Sequence, residues 1–265
     1  MNEFDENEEE FDDGRPHPMH KIGKIIAPIF TCFCLIVTVM IFFRICSQNK
    51  IPESIGTMAA NDDLKQAYDA SVNRGESLKV IYQDFDIYST ENDVRVDENG
   101  KKIRNAGRAY FAVPIAVFIP EANQAQLVLR YNNSTLKYLA SDYREICTEV
   151  PERNEDVFDI TLVKVTDLTP DKDDDNNDPR YLAEKRYTLS SVISAEKGLH
   201  NFRRLTFEDF DLEGALRVYL CIYYKGAVDY GEQPYATVTV YDAKDVIHTY
   251  KLTNKDVAAI EAYGK

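Results

Sequence analysis

The most constraining feature of this chain is a run of nineteen consecutive uncharged residues, Ile25–Phe43, bounded by Lys24 and Arg44. At the helical rise of about 1.5 Å per residue, the run measures roughly 28 Å, close to the roughly 30 Å hydrocarbon core of a bilayer. Pro28 lies near the start of the run, where its missing N–H costs the helix little. We therefore predict one transmembrane helix over 22–46, built around this apolar core at 25–43.

The residues after the run indicate that the helix is retained as an anchor. A cleavable signal peptide has a shorter apolar core and small residues at its cleavage site. Here the core ends in Phe42, Phe43 and Arg44, and the small pair Ala59 and Ala60 lies well beyond it. The pattern predicts an uncleaved, single-pass signal-anchor.

Charges on either side of the run predict its orientation. Arg15, Lys21 and Lys24 precede it, whereas Arg44 and Lys50 follow it. Because cytoplasmic flanks carry the excess of Lys and Arg, this asymmetry favours a cytoplasmic N-terminus. We expect the C-terminal part to lie outside the cytoplasm, at the cell membrane.

Both soluble parts of the chain are acidic. Residues 1–24 hold eight acids and three bases, and residues 45–265 hold 37 acids and 27 bases. A nucleic-acid partner is not expected, because phosphate binding needs clustered Lys and Arg. The tail over 1–21 is rich in Glu, Asp and Asn, and it is predicted to be disordered because it cannot bury enough apolar surface to offset its ordering entropy.

Residues 47–76 are predicted to form a stalk that contains a short amphipathic helix. Four apolar residues recur at helical spacing: Leu64, Ala67, Tyr68 and Val72. Asn61 or Asp62 can cap the start of this helix, and Gly75 can end it.

From residue 77 onward the apolar residues alternate, as they do in β-strands. The clearest run places six apolar residues on one face: Ala109, Phe111, Val113, Ile115, Val117 and Ile119. Pro114 and Pro120 fall on the other parity, which predicts an edge position or a bulge. A second run spans 216–224. Further strands are predicted at 125–131, 135–140, 157–166, 202–208, 235–242 and 246–252.

Many short strands joined by hairpin-like turns predict a mainly β soluble domain over 77–265. The expected fold class is an antiparallel β-sandwich, of which an immunoglobulin-like arrangement is one version. Thr253 and Asp256 have the spacing of a capping box, and they predict a short C-terminal helix that ends before Gly264.

The acidic run 171–178 is the strongest candidate for a metal site. Calcium prefers carboxylate and amide oxygens, and the run offers them at a suitable spacing: Asp173, Asp175, Asn177 and Glu184. Asp178 stands where such a loop needs a glycine. We therefore favour a solvated loop, leave weak calcium binding open, and assign no metal ligands.

Motifs for catalysis are missing from the sequence. His200 and His248 have no local arrangement of a base and a nucleophile. Ser47–Lys50 and Ser194–Lys197 fit Ser-x-x-Lys, but they lie in the predicted stalk and in a predicted exposed turn, without companion motifs. We assign no catalytic residues, no cofactor-binding residues and no cofactor, and we expect the protein not to be an enzyme.

Cys147 and Cys221 are the thiols of the predicted soluble domain. In an oxidising compartment they can form a bridge that closes a long loop, and the alternative is two reduced, buried thiols. The sequence leaves both readings open.

Tyrosine is frequent and tryptophan is missing: the chain has seventeen Tyr and no Trp. Four tyrosines fall on the less apolar parity of their strands: Tyr219, Tyr223, Tyr235 and Tyr241. Because tyrosine combines a ring with a polar tip, this pattern leaves open a partly exposed recognition face for protein or sugar. Tyrosine is also enriched in β-sheets in general, and we favour this second explanation.

Together these features predict an integral membrane protein whose extracytoplasmic domain is a binding or structural module at the cell envelope. Its partner would be a protein or another envelope component. Two alternatives remain open. One is a transmembrane signalling or assembly component that uses the acidic tail, and the other is an enzyme whose reactive residues come from separate loops.

Overall fold

A computed structural model describes residues 18–48, 50–84, 111–132, 158–167, 185–198, 200–224 and 236–265. The chain divides into two compact units, Met1–Lys50 and Ile51–Lys265. We call the second the β unit. Several features predicted above lie outside the described residues: most of the acidic tail, strand 135–140, Cys147, the acidic run 171–178 and Tyr235.

The first unit contains one long helix, α1 (Pro18–Gln48), which confirms the helix predicted over 22–46. Its stretch Ile26–Ser47 is long and apolar enough to cross a membrane. Thr31 and Thr38 donate their hydroxyl hydrogens to backbone carbonyls one turn earlier, at 2.9 and 2.8 Å. Both threonine hydroxyls are therefore hydrogen-bonded within the helix, as an apolar environment requires.

In the described residues, the β unit has ten strands: β1 (Ile81–Tyr82), β2 (Phe111–Ile119), β3 (Gln124–Asn132), β4 (Phe158–Val165), β5 (Lys185–Thr188), β6 (Ser191–Lys197), β7 (His200–Phe207), β8 (Arg217–Tyr224), β9 (Ala236–Asp242) and β10 (His248–Thr249). They form two antiparallel sheets, in the orders β10-β1-β2-β3-β7-β6 and β5-β4-β8-β9. The mainly β fold class is confirmed, whereas the immunoglobulin-like version stays a prediction.

Aromatic side chains join the two sheets in a common core. The ring of Phe118, on β2, lies 5.6 Å from that of Phe210 and 5.8 Å from that of Tyr241, on β9. Phe210 also contacts Tyr187 of β5, at 4.8 Å between ring centroids. The buried residues of both sheets thus form one hydrophobic cluster.

A bulge in β2 corrects the predicted face of that strand. The register between β2 and β3 shifts between Ala112 and Ile115, on either side of the exposed Pro114. Alternation changes phase at this shift, so the core between the sheets receives Phe111, Val113, Ala116 and Phe118. The other face, which we call the outer face of the first sheet, carries Ile115, Val117 and Ile119. The single six-residue face was therefore wrong, although the bulge at Pro114 is confirmed.

The exposed tyrosine face that the sequence left open is not formed by the tyrosines whose burial the structure describes. Tyr219, Tyr223 and Tyr241 are all buried. Val218 and Leu220, on the opposite parity of β8, are buried as well. Both faces of β8 are thus covered, so neither set of its alternating side chains is exposed.

Ser194–Lys197, predicted to be an exposed turn, lies in strand β6. Its residues pair with β7 in continuous register, and His200 is the first residue of β7. β6 is an exposed strand at the edge of the described sheet, and its serine, alanine and charged residues give no clear alternation. This is why the sequence pattern missed it.

The β unit begins with two helices, α2 (Glu53–Gly56) and α3 (Asp62–Asn73). The Asn61 side chain accepts a hydrogen bond from the backbone N–H of Leu64 at 3.0 Å, which confirms the predicted cap. Gly75 has a φ of +73°, a left-handed conformation that glycine adopts without a steric penalty.

A short 3₁₀ turn (Pro120–Ala122) joins β2 to β3, and α4 (Asn254–Ala262) ends the fold. At the start of α4, Thr253 and Asp256 form both hydrogen bonds of the predicted capping box. The C-terminal helix is therefore confirmed together with its cap.

Residues 51–61, which we call the strap, belong to the segment predicted as a stalk. In the structure, Ile55 is fully buried and packs with Val128 and Phe202 on the outer face of the first sheet. Met58 is buried in a neighbouring cluster. This part of the predicted stalk therefore packs on the β unit, while the domain boundaries themselves stay predictions.

Candidate functional site

A groove of about 580 Å³ opens where β1, β2 and β10 meet. Its size falls within the range of small-ligand and peptide pockets. Its lining includes residues from all three strands and their ends: Tyr82, Asp84, Pro114, Ile115, Tyr250 and Lys251.

The groove arises from a mismatch in length between β1 and β2. Within the described residues, β1 pairs with β2 at Val117 and Phe118. Beyond Tyr82 the described chain no longer pairs with β2, whose bulge at Pro114 bends the strand at that point. A short strand beside a long, bulged one leaves an opening between them.

Two aromatic rings form one wall of the groove. The rings of Tyr82 and Tyr250 meet edge to face, with centroids 6.2 Å apart. Asp84 and Lys251 add a negative and a positive charge to the lining. Rings with hydroxyl tips beside opposite charges are suited to a polypeptide that carries both apolar and charged side chains.

The side chains of His248 and Asp84 lie in close contact at the groove, which sequence patterns missed. The His248 Nε2 to Asp84 Oδ2 distance is 3.3 Å, and the two side chains are 40% and 79% exposed. They are far apart in the chain and meet only because β10 pairs with β1. At such exposure the pair is weakly held, and it does not by itself make a catalytic base.

The turn between β9 and β10 is held by a buried glutamine. Gln83 Nε2 donates to the carbonyl oxygens of Asp242 and Asp245, at 2.8 and 3.2 Å, and Gln83 Oε1 accepts from Asp242 N at 2.9 Å. Arg217 Nε donates to Asp242 Oδ2 at 2.8 Å. The turn that leads into the groove is thus fixed by hydrogen bonds, and it presents Val246, 70% exposed, to solvent.

We expect stability to depend on Asp242 in acid. Burial would raise the pKa of Asp242, but the hydrogen bonds from Lys244 N and Arg217 outweigh it and lower that pKa below its ordinary 3.8. A carboxyl with a lowered folded-state pKa stabilises the fold above its unfolded pKa, and this contribution disappears as pH falls through the folded pKa. Chemical denaturation across pH should therefore show the stability advantage of the parent over Asp242→Asn shrinking below about 3.8. A constant difference across the acid range would contradict this assignment.

A buried arginine fixes the strap to the outer face of the first sheet. Arg204 Nε donates to Ile55 O at 2.9 Å, and Arg204 Nη2 donates to Gly56 O at 2.6 Å. Arg204 is among the largest fully buried side chains of the described residues. A buried charge is tolerated only where it is hydrogen-bonded, and here both acceptors are strap carbonyls.

Two further side chains hold the next residues of the strap. Gln126 accepts from Ala59 N at 2.9 Å and donates to Ala59 O at 2.7 Å. Asp256 Oδ1 accepts from Met58 N at 2.8 Å. No local sequence pattern indicates these contacts, because each joins residues far apart in the chain through the strap backbone.

Other sequence candidates do not converge on the groove. His200 lies at the start of β7, where burial and then the charge of Arg130 lower its pKa. Cys221 is buried in the second sheet, and the choice between a bridge and two reduced thiols stays open because Cys147 lies outside the described residues. Within the described part of the chain, no three His, Cys, Asp or Glu side chains group as a metal site. The acidic run 171–178 is not described, so weak calcium binding there stays untested.

Comparison with protein-family models, with curated proteins and with solved structures finds no match to this chain.

Proposed function

We propose that this protein is a single-pass, membrane-anchored binding module without catalytic activity. Its ligand site is the groove between β1, β2 and β10, and its ligand is an extended segment of a protein at the cell envelope. The N-terminus faces the cytoplasm, and the β unit, in the form of a β-sandwich, faces outward.

The observation that carries this proposal is the lining of the groove. Apolar side chains from β2, the rings of Tyr82 and Tyr250, and the charges of Asp84 and Lys251 line a volume of about 580 Å³. Interfaces that bind peptides combine aromatic anchors with a polar rim in this way. The fixed turn after Asp242 further supports binding, because a rigid site loses little entropy when its ligand docks.

Membrane anchoring is supported by α1. Its stretch Ile26–Ser47 has the length and the apolar composition of a membrane span, and its Thr hydroxyls are bonded within the helix. The proposed orientation follows from the excess of basic residues before the apolar run.

Photo-crosslinking in intact cells tests the binding site and the orientation together. The full chain carries a photo-reactive phenylalanine analogue in place of Thr249, a groove residue, or in place of Glu196, an exposed residue of β6. After irradiation, cells are treated with a membrane-impermeant, amine-reactive biotin before lysis. We expect protein adducts at Thr249 but not at Glu196, and biotin on the exposed Lys244.

The possible outcomes separate the two parts of the proposal. If Thr249 yields no adduct beyond those of Glu196, the groove is not the binding site. If Lys244 takes up biotin only after lysis, the binding proposal survives and the outward orientation is wrong. A matched Tyr82→Ala variant should reduce the adducts at Thr249, since it removes one of the two groove rings.

A further inference from the structure

One buried carboxylate contacts both the groove and the strap. Asp256 Oδ1 accepts from Met58 N of the strap at 2.8 Å. Asp256 Oδ2 accepts from the hydroxyl of Tyr250, a groove residue, at 3.4 Å. Thr253 N and its hydroxyl hold the same oxygen at 2.8 and 2.7 Å. Asp256 is 1% exposed, so these contacts are made away from water.

Arg204 belongs to the same buried polar group. Burial lowers the pKa of Arg204 to about 10, and the nearby Tyr250 and Asp256 partly oppose that shift. Burial, followed by the charge of Asp256, raises the pKa of the Tyr250 hydroxyl. Arg204 and Asp256 thus bind the strap backbone, and Tyr250 contacts Asp256.

The strap is held through its backbone by few contacts. Arg204, Gln126 and Asp256 bind the carbonyls or N–H groups of strap residues, so a small displacement of any one of them weakens the docking. Among the described residues, Arg204 Nη1 is buried without a hydrogen-bond partner.

We propose that groove occupancy is coupled to the strap through Asp256. A segment bound against the Tyr250 ring draws the Tyr250 hydroxyl away from Asp256. The hydrogen bond from Met58 N to Asp256 Oδ1 then weakens. The physiological meaning of this coupling rests on the proposed function of the groove, but the coupling itself does not require the natural ligand. Tyr250 and Asp256 act as positioning residues for the strap.

Hydrogen–deuterium exchange of the full chain in nanodiscs tests the coupling. In Tyr250→Phe, which keeps the ring and removes the hydroxyl, we expect the strap amides to exchange about twofold to thirtyfold faster than in the parent. Tyr82→Phe removes a hydroxyl from the other groove ring and serves as the matched control, with strap exchange unchanged.

A covalent probe provides a stand-in for the ligand. Thr249→Cys labelled with fluorescein maleimide fills the groove, and Glu196→Cys with the same label places it on exposed β6. The native cysteines are common to both proteins, so the difference between them reports the groove. We expect faster strap exchange only when the label is at position 249.

Several results would overturn the coupling. One is strap exchange that responds neither to Tyr250→Phe nor to the label at position 249. Another is faster exchange that extends equally to the core strand β8, since this would show general destabilisation. If the strap responds while photo-crosslinking at Thr249 finds no partner, the coupling stands and the proposed binding function fails.

Discussion

Phe118→Ala is expected to lower the free energy of unfolding of the β unit by about 3–5 kcal/mol. The Phe118 side chain is 1% exposed, and its ring contacts Phe210 and Tyr241. Removing it leaves a cavity between two sheets whose backbones are fixed by hydrogen bonding, so the neighbours cannot collapse fully into the space. Urea denaturation followed by circular dichroism measures the loss.

Val192→Ala on β6 is the control for this prediction. Val192 is 45% exposed, so its truncation removes little buried surface and should change stability by less than about 0.5 kcal/mol. Similar losses in the two variants would show that Phe118 does not join the sheets as described.

Arg204→Met is expected to cost about 2–4 kcal/mol, the second largest effect. Methionine fills much of the same volume but donates no hydrogen bonds, so the carbonyl oxygens of Ile55 and Gly56 lose their donors in a buried site. Removing a buried charge recovers part of its desolvation cost, which is why the expected loss is smaller than that of a broken buried ion pair. Denaturation of the full chain in detergent, with limited proteolysis of the strap, measures both stability and docking.

Arg74→Met is the matched control for Arg204. Arg74 is half exposed and pairs with Glu76 and Glu121 at the surface, where water and salt screen such interactions. We expect a far smaller loss of stability and no change in strap proteolysis. Equal effects of the two substitutions would refute the role of Arg204 in holding the strap.

Elements with short-range signals could be predicted from the sequence. α1 follows from nineteen uncharged residues, and the caps at Asn61 and Thr253 follow from side chains that bond within three residues of their own position. Pro114 also indicated an edge position or a bulge, because proline cannot donate to a β-ladder, but it did not distinguish between the two. These features depend on neighbours in the chain, which the sequence displays directly.

The groove could not be predicted in the same way. Tyr250 falls within the predicted strand 246–252, but its ring contact with Tyr82 depends on the pairing of β1 with β10. The pair of His248 and Asp84 has the same origin. No local pattern encodes a register between strands that are distant in the chain. The sequence therefore does not indicate that these residues form one site.

By itself, the sequence determined an apolar helix of membrane-spanning length, a mainly β unit and the ends of its short helices, because these depend on composition and on contacts within a few residues. Only the tertiary structure decided which face of β2 meets the core, that Tyr219 and Tyr223 of β8 are buried, and that the strap packs on the first sheet. These outcomes depend on a one-residue bulge and on long-range strand pairing. A one-residue shift turns every following side chain to the other face, and the sequence alone does not say where the shift occurs.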